Sequence, residues 1–344
     1  MKTFFTLFGA TGDLAQTKLY PALYDLFLTG ELPDDFQFLG VARSERSDQD
    51  FRAMVKQSLT GKPFDRIDEF LELVTYRAFD YEDSMCLASA MNDMAASSED
   101  VFVIYLAIPP QGFAKVTHCI DALKNQYNRC NVRVVIEKPF GENLQTARDL
   151  NDLLRQSFDE SEIYRIDHYL GKETVQNILA LRFGNSIFEP LLNNRYVESI
   201  EISVLEEKGI GSRAAYFDQT GIVKDILQNH ILQVMALLMM EPPAKMEAEY
   251  IRDEKQKVLT SLAPINCQDV FVGQYVAADG MVGYLDEEGV DPNSQTETYV
   301  DMTAYVNNLR WEGVPVQIRT GKRMPEKKAE IRVKFKPSFK YFMN

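Results

Sequence analysis

Positive charge is in short supply in this chain: 37 lysines and arginines face 51 aspartates and glutamates over 344 residues, a formal charge of -14. Proteins that bind nucleic acid neutralise phosphates with a net basic surface, and no long Lys/Arg run breaks the acidic balance, so a nucleic-acid partner is excluded. Any anionic ligand must instead meet a local basic pocket. Cysteine is scarce as well. Cys86, Cys119, Cys130 and Cys267 show no C-x-x-C spacing, and disulfide scaffolding is unusual in a chain this long, so the four are read as reduced thiols of a cytoplasmic protein. The three histidines, His118, His168 and His230, lie far apart without ligand spacing, which argues against a metal site. No apolar run approaches the roughly 20 residues of a membrane span; Ile231 to Met240 is the longest rival and is too short, so no membrane partner is expected. The opening MKTFFTLFGA has the outline of a secretory signal, but the glycines that follow make it a strand. There is no internal repeat and no low-complexity segment.

What is present is an ordinary soluble balance, 45% hydrophobic and 26% charged, in a chain long enough for two domains. Thr3 to Phe8 reads as a buried strand leading into Gly9-Ala-Thr-Gly12-Asp13-Leu-Ala and then a helical pattern carried by Leu14, Leu19, Leu23 and Phe27. Glycines at a strand-to-helix turn let backbone N–H groups approach a pyrophosphate at a helix N-terminus. The G-x-x-G spacing is shorter than the usual dinucleotide fingerprint and fits a plain tight turn equally well. The next strand, Phe36 to Ala42, ends at Arg43-Ser44 rather than at an acid, which suits the 2′-phosphate of NADP better than the ribose hydroxyl of NAD.

Helical stretches at Asp48 to Leu59 and Glu82 to Met94 precede Val101 to Ile108, a continuous apolar run of the kind buried on both faces of a parallel sheet, closed by Pro109-Pro110. A helix from Gln111 to Leu123 leads to the strand Arg133 to Ile136 and then Glu137-Lys138-Pro139-Phe140-Gly141. Ligands of open α/β sheets sit at strand carboxyl ends, so Lys138 falls on the same edge as Gly9 and Gly12. The stretch Tyr164 to Glu173, YRIDHYLGKE, packs an acid, an imidazole, a phenol and an ammonium into a strand-then-helix junction that enters a helix over Thr174 to Phe183. Asp167 and His168 would serve there either as a site or as braces of the junction.

Beyond it the periodicity changes. Tyr196 to Leu205 alternates Val197, Ile200, Ile202 and Val204 against Glu198, Glu201 and Ser203, the pattern of a half-exposed antiparallel strand. Val300 to Val306, Val314 to Ile318 and Glu330 to Phe335 read as its partners. Gly221 to Met240 is apolar around most of its circumference, a buried helix. At 100° per residue Asp225, Asn229, His230 and Gln233 share an arc of about 140° on it. Ala277 to Thr296 reads as a long connection of open role. The expected architecture is α/β plus α+β: a Rossmann-like doubly wound sheet over 1–180, then a second domain with a largely antiparallel sheet over 181–344.

GATGDLA at 9–15, VARS at 41–44, EKPFG at 137–141, RIDHYLGKE at 165–173, FDQTGIVKDILQNHILQ at 217–233 and RWEGVPVQIRTGK at 310–322 together resemble the glucose-6-phosphate dehydrogenase family over nearly the whole chain. The resemblance implies oxidation of glucose 6-phosphate at C1 to the lactone with hydride transfer to NADP, the first step of the oxidative pentose phosphate pathway. It implies His230 as the base and Asp167 as the carboxylate that orients it. His168, Tyr169 and Lys172 match phosphate-binding residues, Glu206 and Asp225 match acceptors for sugar hydroxyls, and Lys322 and Lys327 match basic substrate contacts. Lys138 matches a lysine that contacts the substrate and helps position both reactants. On the cofactor side Gly9, Thr11, Gly12, Asp13 and Leu14 match the phosphate turn, Lys18, Arg43 and Ser44 its adenosine end, and Pro109 and Pro110 the segment beside the nicotinamide.

Members of the family continue well beyond the position of Phe335, so the resemblance leaves the second sheet short of its later strands, and with it the surface through which a homodimer is expected. Two further readings stand beside this one. Another NADP-dependent sugar oxidoreductase explains Glu137-Lys138-Pro139 but not RIDHYLGKE, and a shortened chain that binds NADP without turnover is compatible with every residue kept.

Overall fold

Strand β1 (Thr3–Phe8) alternates its large side chains, and both faces are buried: Phe4 and Phe8 enter one core, Leu7 and Phe5 the other. That pattern fits a strand covered on both sides by helices. The computed structural model describes every residue except Glu82, 128–130, Pro139, Glu142 and 338–344. Cys130, Pro139 and the expected helix start at Glu82 therefore lie outside the described residues. β1 pairs in parallel with β2 (Phe36–Ala42) on one side and β4 (Val101–Leu106) on the other. β3 (Val74–Ala78), β5 (Asn131–Ile136) and β6 (Ile163–Arg165) complete a parallel sheet in the order β3-β2-β1-β4-β5-β6. This is the doubly wound order, with its switch point between β1 and β4.

Helices α1 (Tyr20–Thr29), α2 (Asp48–Ser58) and α3 (Ile67–Glu72) cover one face, and α4 (Cys86–Asp93), α5 (Phe113–Gln126) and α6 (Leu144–Ser157) the other. The sequence reading passes over α3, β3 and α6, and it places a strand end where β6 lies. β3 and β6 are short and carry arginines, so their apolar signal is thin. α6 does announce itself, by a reciprocal cap between Asn143 and Thr146.

Contacts divide the chain into Met1–Ile166 and Asp167–Asn344. The division falls fourteen residues before 180, because α7 (Glu173–Phe183) buries Val175 and Ile178 in the core of the second unit. That unit holds a five-stranded sheet in the order β11-β7-β10-β9-β8, with β7 at Val197–Leu205, β8 at Val270–Gly273, β9 at Tyr299–Ala304, β10 at Val316–Gly321 and β11 at Lys328–Phe335. Three pairings are antiparallel and β10 runs parallel to β7, so β7 lies between one antiparallel and one parallel neighbour. β8 and α10 (Ala248–Thr260) were not expected from the sequence.

The long apolar helix begins where its sequence pattern suggests, because Gly221 (φ +69°, ψ 169°) kinks the chain near the end of α8 (Ala214–Ile222). Val223–Ile231 is wound as a wide π-type helix and continues into α9 (Leu232–Met239). Ala214–Met239 has the length and composition of a membrane span, but most of it is buried within the unit. Trp311 is fully buried beside its end and donates from Nε1 to the Met239 carbonyl at 2.7 Å. The connection over 277–296 is not structureless: Tyr284 is buried and donates to Asp218 at 2.7 Å, and Ser294 donates to the same carboxylate at 2.5 Å.

Candidate active site

In the first unit the carboxyl edge of the parallel sheet gathers the predicted cofactor residues. Gly9 follows β1 with φ +83°, and a Cβ there would sit 2.2 Å from the Ala107 carbonyl oxygen, so only glycine allows the chain to turn this close to β4. Its N–H and that of Ala10 donate to the Val41 carbonyl at 2.9 and 3.0 Å, and Gly12 N–H donates back to Gly9 O at 2.9 Å. Thr11 is half-buried, whereas Gly12, Asp13, Leu14 and Lys18 are exposed. The wide first helical turn, Ala15–Leu19, has no side-chain cap. A tight glycine turn opening onto uncapped amides fits a dinucleotide pyrophosphate.

Arg43 and Ser44 are exposed just past β2, and the Ser44 carbonyl accepts from the Tyr76 hydroxyl. Burial pushes the Tyr81 phenol up, while the Arg43 guanidinium nearby pulls it back. Pro109 and the start of the short turn Pro110–Gly112 follow β4. Lys138 lies half-buried two residues beyond β5.

The second unit brings its predicted residues into one cavity of about 430 Å³, lined by His168, Tyr169, Lys172, Glu206, Asp225, His230, Lys322 and Lys327. Arg213 and Lys328 line it too, and sequence reasoning missed both. The cationic side chains on its wall, Lys172, Arg213, Lys322, Lys327 and Lys328, outnumber the carboxylates Glu206 and Asp225. In a chain this acidic, that is the local basic pocket an anionic ligand requires. Two larger cavities of about 650 and 660 Å³ also open in this unit. The first is mostly apolar and holds none of the predicted residues, and the second holds only Glu206 and Lys327 of them, so chemistry and not volume singles out the smaller one.

His230 is buried, and its Nδ1 lies 2.6 Å from Asp167 Oδ1. The same oxygen accepts from the Tyr169 N–H at 2.9 Å. An ionised carboxylate only accepts, so Nδ1 carries a proton, and in the neutral ring the lone pair is on Nε2. The Tyr169 ring stacks on His230 with centroids 4.0 Å apart, and the His168 ring meets His230 edge-on at 4.5 Å. Lys172 Nζ stands 3.6 Å over the Tyr169 ring. Burial, and then the carboxylates of Glu206, Asp225 and Asp167, push the Tyr169 phenol up to about 12, so it stays protonated. Lys322 is buried and paired with Glu206. Donor atoms of Asp167, His168 and His230 lie within 4.8 Å of one another, a proximity that their spacing in the sequence does not reveal.

The expected polar sector of the long helix does not stay together. A sector at 100° per residue assumes a regular α-helix, whereas Val223–Ile231 is wound wider. Asp225 and His230 reach the cavity, whereas Asn229 donates to the Lys224 carbonyl at 2.7 Å. Gln233 accepts from Lys255 at 2.7 Å, and burial pulls that ammonium below the usual lysine range.

Residues 6–177 match the family profile described as glucose-6-phosphate dehydrogenase, NAD binding domain, and residues 179–344 match the one described as glucose-6-phosphate dehydrogenase, C-terminal domain. The chain is 43% identical over 340 residues to glucose-6-phosphate 1-dehydrogenase of Cyberlindnera jadinii, covering 96% of this chain and 68% of that one. It is 43% identical over 349 residues to the enzyme of the same name from Bacillus subtilis, covering 97% and 71%. A solved structure titled glucose-6-phosphate dehydrogenase in complex with its substrate glucose-6-phosphate superposes with a TM-score of 0.91 at 39% identity, over 97% of this chain and 72% of that one.

Proposed function

The chain belongs to the glucose-6-phosphate dehydrogenase family, and we propose that it oxidises D-glucose 6-phosphate at C1 to 6-phospho-D-glucono-1,5-lactone with NADP as the oxidant. The observation that carries the reading is the His230–Asp167 pair at 2.6 Å on the wall of a cavity with more cations than carboxylates. Nε2 of His230 takes the C1 hydroxyl proton, and Asp167 stabilises the charge that then develops on the imidazole. NADP, when bound, supplies the acceptor for the hydride that leaves C1. His168, Tyr169 and Lys172 hold the sugar phosphate, with Tyr169 acting as a hydrogen-bond donor because its phenol is protonated. Glu206 and Asp225 accept from ring hydroxyls, and Lys322, held by Glu206, adds a fixed positive charge. Lys327 and Arg213 supply further cations at the cavity wall.

In the first unit the glycine turn Gly9–Leu14 cradles the pyrophosphate, Lys18, Arg43 and Ser44 face the 2′-phosphate end, and Pro109, Pro110 and Lys138 flank the nicotinamide side. A cytoplasmic location belongs to the same proposal, supported by the free thiols of Cys86, Cys119 and Cys267. So does association of two chains through the second sheet, where edge strand β8 exposes Phe271 and Val272.

Purified protein is expected to form NADPH from NADP only when glucose 6-phosphate is present, and His230→Asn is expected to lower kcat while leaving both KM values within a few-fold. NADP binding by calorimetry without turnover would replace this reading by a non-catalytic binding chain. A variant with near-normal kcat would remove His230 as the base.

A further inference from the structure

The cysteines are not all isolated. Cys86 Sγ and Cys119 Sγ lie 3.6 Å apart, the first residue of α4 against the middle of α5. A bond between them requires the sulfurs to close by about 1.6 Å, within reach of side-chain rotation at two packed helices. The two thiols differ in access. Cys86 is half-buried, whereas Cys119 is buried with the Asp83 and Lys115 carbonyls each 3.5 Å from its sulfur. The hydrogen bond that Cys86 donates to Cys119, and then burial, push the Cys86 thiol up, while the same bond draws the Cys119 thiol down.

We propose that Cys86 and Cys119 form a reversible disulfide that joins α4 to α5 under thiol-oxidising conditions and weakens the dinucleotide site. The oxidant is a low-molecular-weight disulfide such as that of glutathione. Cys86, the more accessible of the two thiols, loses its proton as its sulfur attacks one sulfur of that disulfide, forming a mixed disulfide and releasing one thiol. The Cys119 thiolate then attacks Cys86 Sγ, breaks the mixed disulfide and releases the second thiol. Two protein thiols are oxidised, one small disulfide is reduced, and both thiol protons leave on the two small thiols.

The link to the cofactor edge is short. Oxidation removes the S–H that Cys119 directs at the Asp83 carbonyl, and Asp83 N–H closes a turn onto Asp80 O at 3.0 Å. That turn carries Tyr81, whose ring packs edge-on against Phe8 at 5.7 Å, one residue before Gly9.

The experiment treats the full chain with oxidised glutathione, then maps cysteine peptides by mass and counts free thiols. The expected product has a Cys86–Cys119 cross-link, two of the four thiols lost, and full recovery on reduction. Cys119→Ser is expected to accumulate a glutathione adduct at Cys86, and Cys86→Ser to form neither the adduct nor the cross-link. A disulfide that uses Cys130 or Cys267, or four thiols that survive oxidation, overturns the pairing. The oxidised chain is expected to show a severalfold higher KM for NADP, an effect absent from oxidised Cys86→Ser; equal KM values in both redox states overturn the link to the cofactor edge. The mass map does not depend on turnover, so its failure is distinguishable from failure of the proposed activity.

Discussion

Asp167→Asn isolates one physical quantity. In the structure two hydrogen bonds to this side chain converge on Oδ1, from His230 Nδ1 at 2.6 Å and from the Tyr169 N–H at 2.9 Å. An asparagine oxygen has two lone pairs and can accept both, so the substitution keeps the geometry and removes the charge. With the imidazole and carboxylate charges roughly 4 Å apart in a site of effective dielectric near 20, the lost attraction is about 4 kcal/mol. At 1.36 kcal/mol per tenfold, kcat falls about a thousandfold, because the imidazole carries its charge only after taking the proton. KM for glucose 6-phosphate stays within a few-fold, since the phosphate clamp is untouched, and the melting temperature hardly moves. Asp167→Ala is the control: it loses the charge and both hydrogen bonds, so it falls in kcat and also in melting temperature. The assay is initial rate against substrate at fixed saturating NADP, with thermal unfolding on the same samples. An Asp167→Asn variant within tenfold of the parent in kcat would refute the electrostatic role, and a large rise in KM at constant kcat would move Asp167 into substrate binding.

Other outcomes follow from single observations. Arg43→Ala removes a charge-assisted contact worth about 1.5–3 kcal/mol, so the preference for NADP over NAD, measured as the ratio of kcat/KM values, should narrow about tenfold to a hundredfold; an unchanged ratio rejects the assignment. Trp311→Ala empties a fully buried site and strips the Met239 carbonyl of its donor, and urea unfolding of the second unit should report a loss of about 3–5 kcal/mol. Tyr169 holds its proton up to about pH 12 in the folded chain and releases it near the ordinary tyrosine value of about 10 when unfolded. The folded state therefore binds more protons across that window, and its stability falls as pH rises through it. Tyr169→Phe should make that fall shallower in denaturant titrations; an identical slope means the phenol is not shielded.

Much of the first unit was legible because buried parallel strands announce themselves. β1, β2 and β4 are continuous apolar runs, and each ends in a turn with its own chemistry: glycines after Phe8, Arg43 after Ala42, prolines after Leu106. β3 and α3 were not legible, since segments of five or six residues with arginines or acids among them carry too little periodic signal. In the second unit, alternation located β7 but not its neighbours' directions; the parallel β10 is fixed by register contacts that no local pattern encodes.

The sequence by itself determined which chemistries this chain can do. Its acidic balance, the Arg43-Ser44 ending of a strand and the RIDHYLGKE stretch are properties of residue type and order. Only the tertiary structure decided which of those groups work together. His230 stands next to Asp167, a residue far away in the chain, whereas Asn229 donates to the Lys224 carbonyl on its own helix. Cys86 and Cys119 become partners, and Arg213 joins the cavity wall, because packing juxtaposes residues far apart in the chain. Side-chain identity is local information, but contact between remote side chains is set by how helices and sheets bury their apolar faces.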